Sequence, residues 1–237
     1  MESQTIPLPS PLELTLELTD EQFFQLCIDN RDLRFERTAT GELIIMPPAS
    51  SDTGRRNADL SFQLEGWSRQ NKNLGIAFDS STGFKLPDGS DISPDAAWVR
   101  RDRWDALTPE QKEKFAPICP DFVVELRSTT DSLEKLRAKM KVYVKNGARL
   151  GWLLDRENRK VEISRQCSDV EILDSPATLS GEDVLPGFVL DLTDIFSICK
   201  KTRQLKPHLH KQNLPTLVKE DSAVETASPQ AKPAHAG

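Results

Sequence analysis

Residues Phe122-Val-Val-Glu-Leu126 form a short apolar run with a single acid, Glu125, inside it. Asp121 and Arg127 bracket the run, which is too short for a helix and fits a buried strand. One reading makes it a central strand of a sheet. Glu125 would lose its hydration there, and buried charges persist only when paired or bound to a metal. The alternative is an edge strand whose Glu125 turns to water.

A second acid raises the same question. In Ser93-Pro94-Asp95-Ala-Ala-Trp-Val99, Asp95 stands where another apolar strand begins. Alone it fits an ordinary turn aspartate beside a proline. Both acids introduce apolar strands that can lie side by side, and hard oxygen ligands at such a point suit Mg²⁺ or Mn²⁺. Downstream, Leu133, Leu136, Met140, Tyr143 and Val144 form one stripe of a predicted helix over 131–146, with Asp131 as cap and Asn146-Gly147 as stop. Lys139 falls at the edge of that stripe, where its stem can bury while its ammonium reaches a phosphate or a water. An ordinary surface lysine fits the same position, and truncating it is then expected to cost little stability.

The remaining pattern alternates helical and strand-like pieces. Thr19-Asp-Glu-Gln22 opens a short helix, and strands are expected over 33–37 and 42–46. A helix over 52–72 carries Leu60, Leu64 and Trp67 on one side. Strands are expected near 75–78, 83–86, 96–100, 150–154, 160–165 and 170–173, with one or two surface helices over 101–115. This order predicts an α/β chain of α+β type with layered helices and sheet. Residues 1–18 are expected to be loose, 19–199 to form one domain, and 200–237, rich in Lys, Pro, Gln, Ser and Ala, to be disordered.

Composition narrows the chemistry. The three histidines, His208, His210 and His235, all lie in the tail, so residues 1–200 cannot build a Ser-His-Asp device or a His-rich zinc site. Cys27, Cys119, Cys167 and Cys199 form no CxxC pair and read as reduced thiols. The tail is net positive, with seven Lys/Arg against three Asp/Glu, which leaves about ten negative charges on the body of a chain whose net charge is -6. Bulk charge therefore argues against nucleic acid, although a cation in a carboxylate site reverses the local field. No apolar run reaches the ~18 residues of a membrane span, and the first residues do not read as a signal peptide. A cytoplasmic protein without a membrane partner is expected.

Taken together, SPDAAWV, PDFVVELRS and KMKVYVKNGARLGWLLD, preceded by ERTATGELIIMPPAS and DTGRRNADL, resemble the Uma2-like family of endonucleases. That family is a branch of the restriction-endonuclease-like PD-(D/E)XK superfamily, and the resemblance covers roughly residues 20–195. It implies a restriction-endonuclease-like mixed sheet flanked by helices, DNA as partner, and Mg²⁺ or Mn²⁺ as cofactor. Asp95 would be the PD acid and Glu125 the second acid, both metal ligands. The usual lysine position holds Arg127, which cannot act as a base, and the resemblance places the lysine on the following helix, at Lys139. Glu42 is implied as a further acid. Arg55, Arg56 and Asn57 at a helix start are candidate phosphate contacts, a solvated helix start being the plain alternative. A homodimer is admissible. Rival readings are a non-catalytic DNA-binding or oligomeric module on the same fold, and a carboxylate glycosidase.

Overall fold

The computed structural model describes residues 12–197. In chain order they form β1 (Leu12–Thr15), α1 (Asp20–Asp29), β2 (Arg34–Arg37), β3 (Glu42–Met46), α2 (Ser51–Gln70), β4 (Gly75–Asp79), β5 (Phe84–Lys85), β6 (Asp91–Ile92) and β7 (Ala96–Arg100). Then follow α3 (Arg101–Asp105), α4 (Pro109–Lys112), β8 (Phe122–Leu126), α5 (Leu133–Lys145), β9 (Leu150–Asp155), β10 (Lys160–Arg165), β11 (Glu171–Asp174), β12 (Thr178–Ser180) and β13 (Val189–Asp191).

Local chemistry sets several of these boundaries. The Thr19 hydroxyl accepts the Gln22 amide at 3.2 Å while the Gln22 side chain accepts the Thr19 amide at 2.9 Å, closing a capping box on α1. At α5 the cap is Ser132, one residue later than the sequence suggests. Asp131 instead accepts the Ser128 amide at 2.8 Å and shapes the turn before the helix. Gly147, at φ +115°, then lets the chain leave α5 in a conformation that side chains resist.

A six-stranded sheet in the order β11-β10-β9-β8-β7-β4 forms the centre. β8 and β9 are parallel, from Phe122 opposite Leu150 to Leu126 opposite Leu154, and every other pair in this sheet is antiparallel. A parallel pair needs a crossover connection, and α5 supplies it. All five residues of β8 are buried because both of its edges are paired and both faces are covered. Phe122, Val124 and Leu126 share one core with Leu60 and Leu64 of α2. Val123 packs on the other face with Met140 and Tyr143 of α5. The edge-strand alternative for Glu125 is thereby excluded.

A five-stranded antiparallel sheet, β1-β3-β2-β6-β5, stands beside the first. Its β1 pairs with β3 from Leu12 opposite Ile45 to Thr15 opposite Glu42, so the segment expected to be loose contains a paired strand. β12 and β13 pair with each other and bring Leu179 and Leu190 into the main core, beside Phe188 from their connection; the sequence pattern did not reveal these two strands. The expected disorder over 200–237 lies outside the described residues. No helix among those described is long and apolar enough to cross a membrane.

Candidate active site

The site forms where the C-terminal end of β8 meets the start of β7. The backbone amide of Asp95 donates to the Val124 carbonyl at 2.9 Å. One carboxylate oxygen of Asp95, Oδ2, accepts the Leu126 amide at 2.8 Å. Asp95 is therefore fastened to the residues on either side of Glu125. Its other oxygen, Oδ1, accepts from the Asn57 side-chain amide of α2 at 3.1 Å and lies 3.6 Å from the Arg34 guanidinium.

Glu125 shares a face of β8 with Val123, toward α5. There the helix repeat puts Lys139 and Tyr143 one turn apart on the same side. The Lys139 ammonium lies 2.9 Å from Glu125 Oε1, and the Tyr143 hydroxyl donates to the same oxygen at 3.0 Å. A third acid arrives from the five-stranded sheet. Glu36, in β2, accepts from Lys139 at 2.8 Å and from the Ser93 amide at 3.1 Å. Lys139 also donates to the Ser93 carbonyl at 3.0 Å, which directs its three donors onto two carboxylates and one carbonyl. Arg34 donates to that same carbonyl at 3.2 Å.

Burial dominates the electrostatics. Glu125 is 3% exposed. Its carboxyl is pushed up to about 7, first by lost hydration and further by the charges of Asp95 and Glu36, with Lys139 pulling the other way. Burial alone would depress Lys139, but the charges of Glu125 and Glu36 outweigh it and hold the ammonium above its ordinary value. Lys139 therefore stays charged and acts as a donor, not as a proton acceptor, near neutral pH. Tyr143 is raised well above the usual phenol value, by burial and then by the Glu125 charge, so it remains a donor too.

A family model described as "Uma2: Putative restriction endonuclease" matches residues 20–193. The chain belongs to the Uma2 family. A crystal structure from Anabaena variabilis ATCC 29413, titled as that of a putative nuclease belonging to DUF820, is similar at a TM-score of 0.62 and 20% identity. The match covers 76% of this chain and 98% of that one, and it shows a shared fold: a mixed sheet flanked by helices. No curated protein matches.

Within this Uma2 domain the structure brings together Asp95, Glu125 and Lys139 and leaves Glu42 apart. Glu42 opens β3, its backbone amide donates to the Thr38 hydroxyl, and no hydrogen bond or ion pair joins it to the cluster among the described residues. The hairpin acid that does reach the site is Glu36, which the sequence reading missed. A signal was present, since Glu36 follows Phe35 in a strand, but its charged neighbours Arg34 and Arg37 make that strand look solvated. Arg127 points elsewhere: its Nη1 donates to both carboxylate oxygens of Asp155 at 3.1 Å and lies 3.2 Å from Glu157. Arg56 is buried and spends its donors on Asp52 and the carbonyls of Asp194, Ile195 and Ser197, so it cannot meet a phosphate. Arg55 leans on the Asp194 carbonyl and Ser197, and only Asn57 of that trio reaches the site.

The donor set offers carboxylate oxygens and no described histidine, which suits a hard cation. No three or more acidic, His or Cys side chains among the described residues are arranged as a ready cation cage. Mg²⁺ does not require one, because it keeps several waters and takes one or two carboxylates. Asp95 and Glu125 meet that lesser demand: the side-chain bonds described for Glu125 fall on Oε1, and each oxygen of Asp95 is met by one donor within hydrogen-bonding distance.

Proposed function

We propose that the protein is a metal-dependent endonuclease that hydrolyses DNA phosphodiester bonds. The observation that carries this reading is the convergence of Asp95, Glu125 and Lys139 at the end of the central strand, in a chain of a family described by that activity. Asp95 and Glu125 would hold Mg²⁺ or Mn²⁺, which when bound polarises a phosphoryl oxygen and acidifies a coordinated water.

The chain's own residues have separable tasks in this reading. The Leu126 amide and Asn57 fix the rotamer of Asp95, so the carboxylate is oriented before any ligand arrives. Lys139, permanently charged, offsets negative charge that builds on the phosphoryl oxygens as the ester breaks. Glu36 keeps the ammonium at that place and Tyr143 fixes the adjacent oxygen of Glu125. Arg34, partly open to solvent, adds a second cation beside Asp95. Lys139, Arg34 and a bound divalent cation would together outweigh the three carboxylates, which answers the objection raised by the acidic body of the chain.

The test is incubation of the purified chain with plasmid, single-stranded and branched DNA, in Mg²⁺ or Mn²⁺ against EDTA, with Asp95→Asn alongside. Cutting that needs the metal and vanishes in the variant supports the reading. Cutting that survives EDTA, or no cutting of any substrate, rejects it.

A further inference from the structure

One polar atom at the site has no role in the scheme above. Asn57 is buried, 7% exposed, and its side-chain nitrogen donates to Asp95 Oδ1 at 3.1 Å. A carboxylate only accepts, so this contact fixes which end of the amide faces Asp95. The other end, Asn57 Oδ1, is shut off from solvent and has no hydrogen-bond partner. Leaving a buried acceptor unmatched costs about 1–3 kcal/mol, a cost that needs an explanation when it falls at a cluster of acids. The nearby donors are already placed. Arg34 gives one nitrogen to the Ser93 carbonyl and turns another toward Asp95, Lys139 serves Glu36, Glu125 and Ser93, and the Leu126 amide serves Asp95.

We propose that Asn57 Oδ1 is a ligand-facing acceptor: it receives a hydrogen bond from a water in the hydration shell of a divalent cation seated on Asp95. The amide thereby joins two tasks, holding the ligand Asp95 through its nitrogen and a metal water through its oxygen. A water donates what this oxygen lacks, and Mg²⁺ in particular keeps the waters that make such outer contacts possible. The inference rests on the metal-dependent reading and adds a positioning residue to it.

The test measures binding, not turnover. Mg²⁺ and Mn²⁺ are titrated by calorimetry into the wild-type chain, Asn57→Leu and Asn57→Asp, and each is melted without metal. Leucine keeps the volume and removes both contacts, whereas aspartate keeps the acceptor and loses the donor. Asn57→Leu is expected to weaken metal binding about 10–100-fold, the usual loss when an outer contact is removed. Its metal-free melting temperature should stay near the wild-type value, because removing the unmatched oxygen offsets the donor lost to Asp95. Asn57→Asp is expected to keep wild-type affinity or improve on it. Equal weakening in both variants would mean that only the donor to Asp95 matters and would overturn the inference, as would wild-type affinity in Asn57→Leu or a wild-type chain that binds neither ion. A wild-type chain that binds the ions, with the Leu and Asp variants separating as described, yet cuts no DNA would sink the nuclease reading and leave the role of Asn57 standing.

Discussion

Lys139 and Glu36 stand 2.8 Å apart, ammonium to carboxylate, although 103 positions of sequence separate them. Glu125 closes on the same ammonium at 2.9 Å. The lysine is therefore a clamp between two buried acids, and truncating it is no longer the mild change that a stripe-edge position suggests.

Lys139→Ala is expected to leave Glu36 and Glu125 buried without their counter-charge and to lower unfolding free energy by about 3–5 kcal/mol. Cleavage should fall by about two to four orders of magnitude under conditions where the variant remains folded. Urea unfolding together with single-turnover cleavage checks both. Wild-type stability would refute the clamp, and a wild-type rate would refute the role in chemistry.

The raised carboxyl of Glu125 makes stability depend on pH in a definite direction. Between the ordinary glutamate value of 4.5 and about 7, the folded chain holds a proton that the unfolded chain has released. Stability must then fall as pH rises through that window, since the folded state binds more protons there. Glu125→Gln removes the titrating group, so its melting temperature should decline less steeply between pH 4.5 and 7 than that of the wild type. Parallel declines in melts across that range would place the ionisation elsewhere.

Arg127 lies two residues after Glu125 and braces the loop after β9 through Asp155 and Glu157. Arg127 serves Asp155 and Glu157 through Nη1 and the Asp131 carbonyl through Nε, at 3.2 Å, and one ammonium cannot reach both places, so Arg127→Lys is expected to cost about 1–2 kcal/mol. It should not raise the cleavage rate. A faster variant would mean that this position does communicate with the acids.

Gly75 lies opposite Arg100 in the β4–β7 pair. A Cβ at this position would sit 2.3 Å from the Val99 carbonyl oxygen and 2.3 Å from the Trp98 ring. The carbonyl belongs to a paired strand and cannot yield, so Gly75→Ala is expected to lower stability by about 3 kcal/mol, at the upper end for overpacking. A denaturation midpoint within error of the wild type would show that the strand can shift.

The sequence exposed those parts of the molecule in which one short segment carries its own explanation. Glu125 in its apolar run, Asp95 before β7 and Lys139 beside the stripe of α5 were each legible because burial and period conflict with a charge. Glu36 carries the same conflict, but its flanking arginines hide it, since their partners Asp95 and Asp91 lie in other segments. Glu42 entered only through the family resemblance, and nothing local tells which of two hairpin acids faces a helix nearly a hundred residues later. β12 and β13 were missed for a related reason. Each is three residues long, with a single inward side chain, so neither displays a period.

The gathering of groups from distant parts of the chain also bears on when activity can begin. Glu36 comes from one sheet, Glu125 from the other, Asp95 from the turn that enters β7, and Lys139 from the crossover that joins the two parallel strands. An N-terminal fragment still being synthesised has carboxylates scattered in water and lacks the ammonium that draws them together. On the proposed reading, a chain of this build can gain activity only after α5 has docked on β8 and brought Lys139 to the acids.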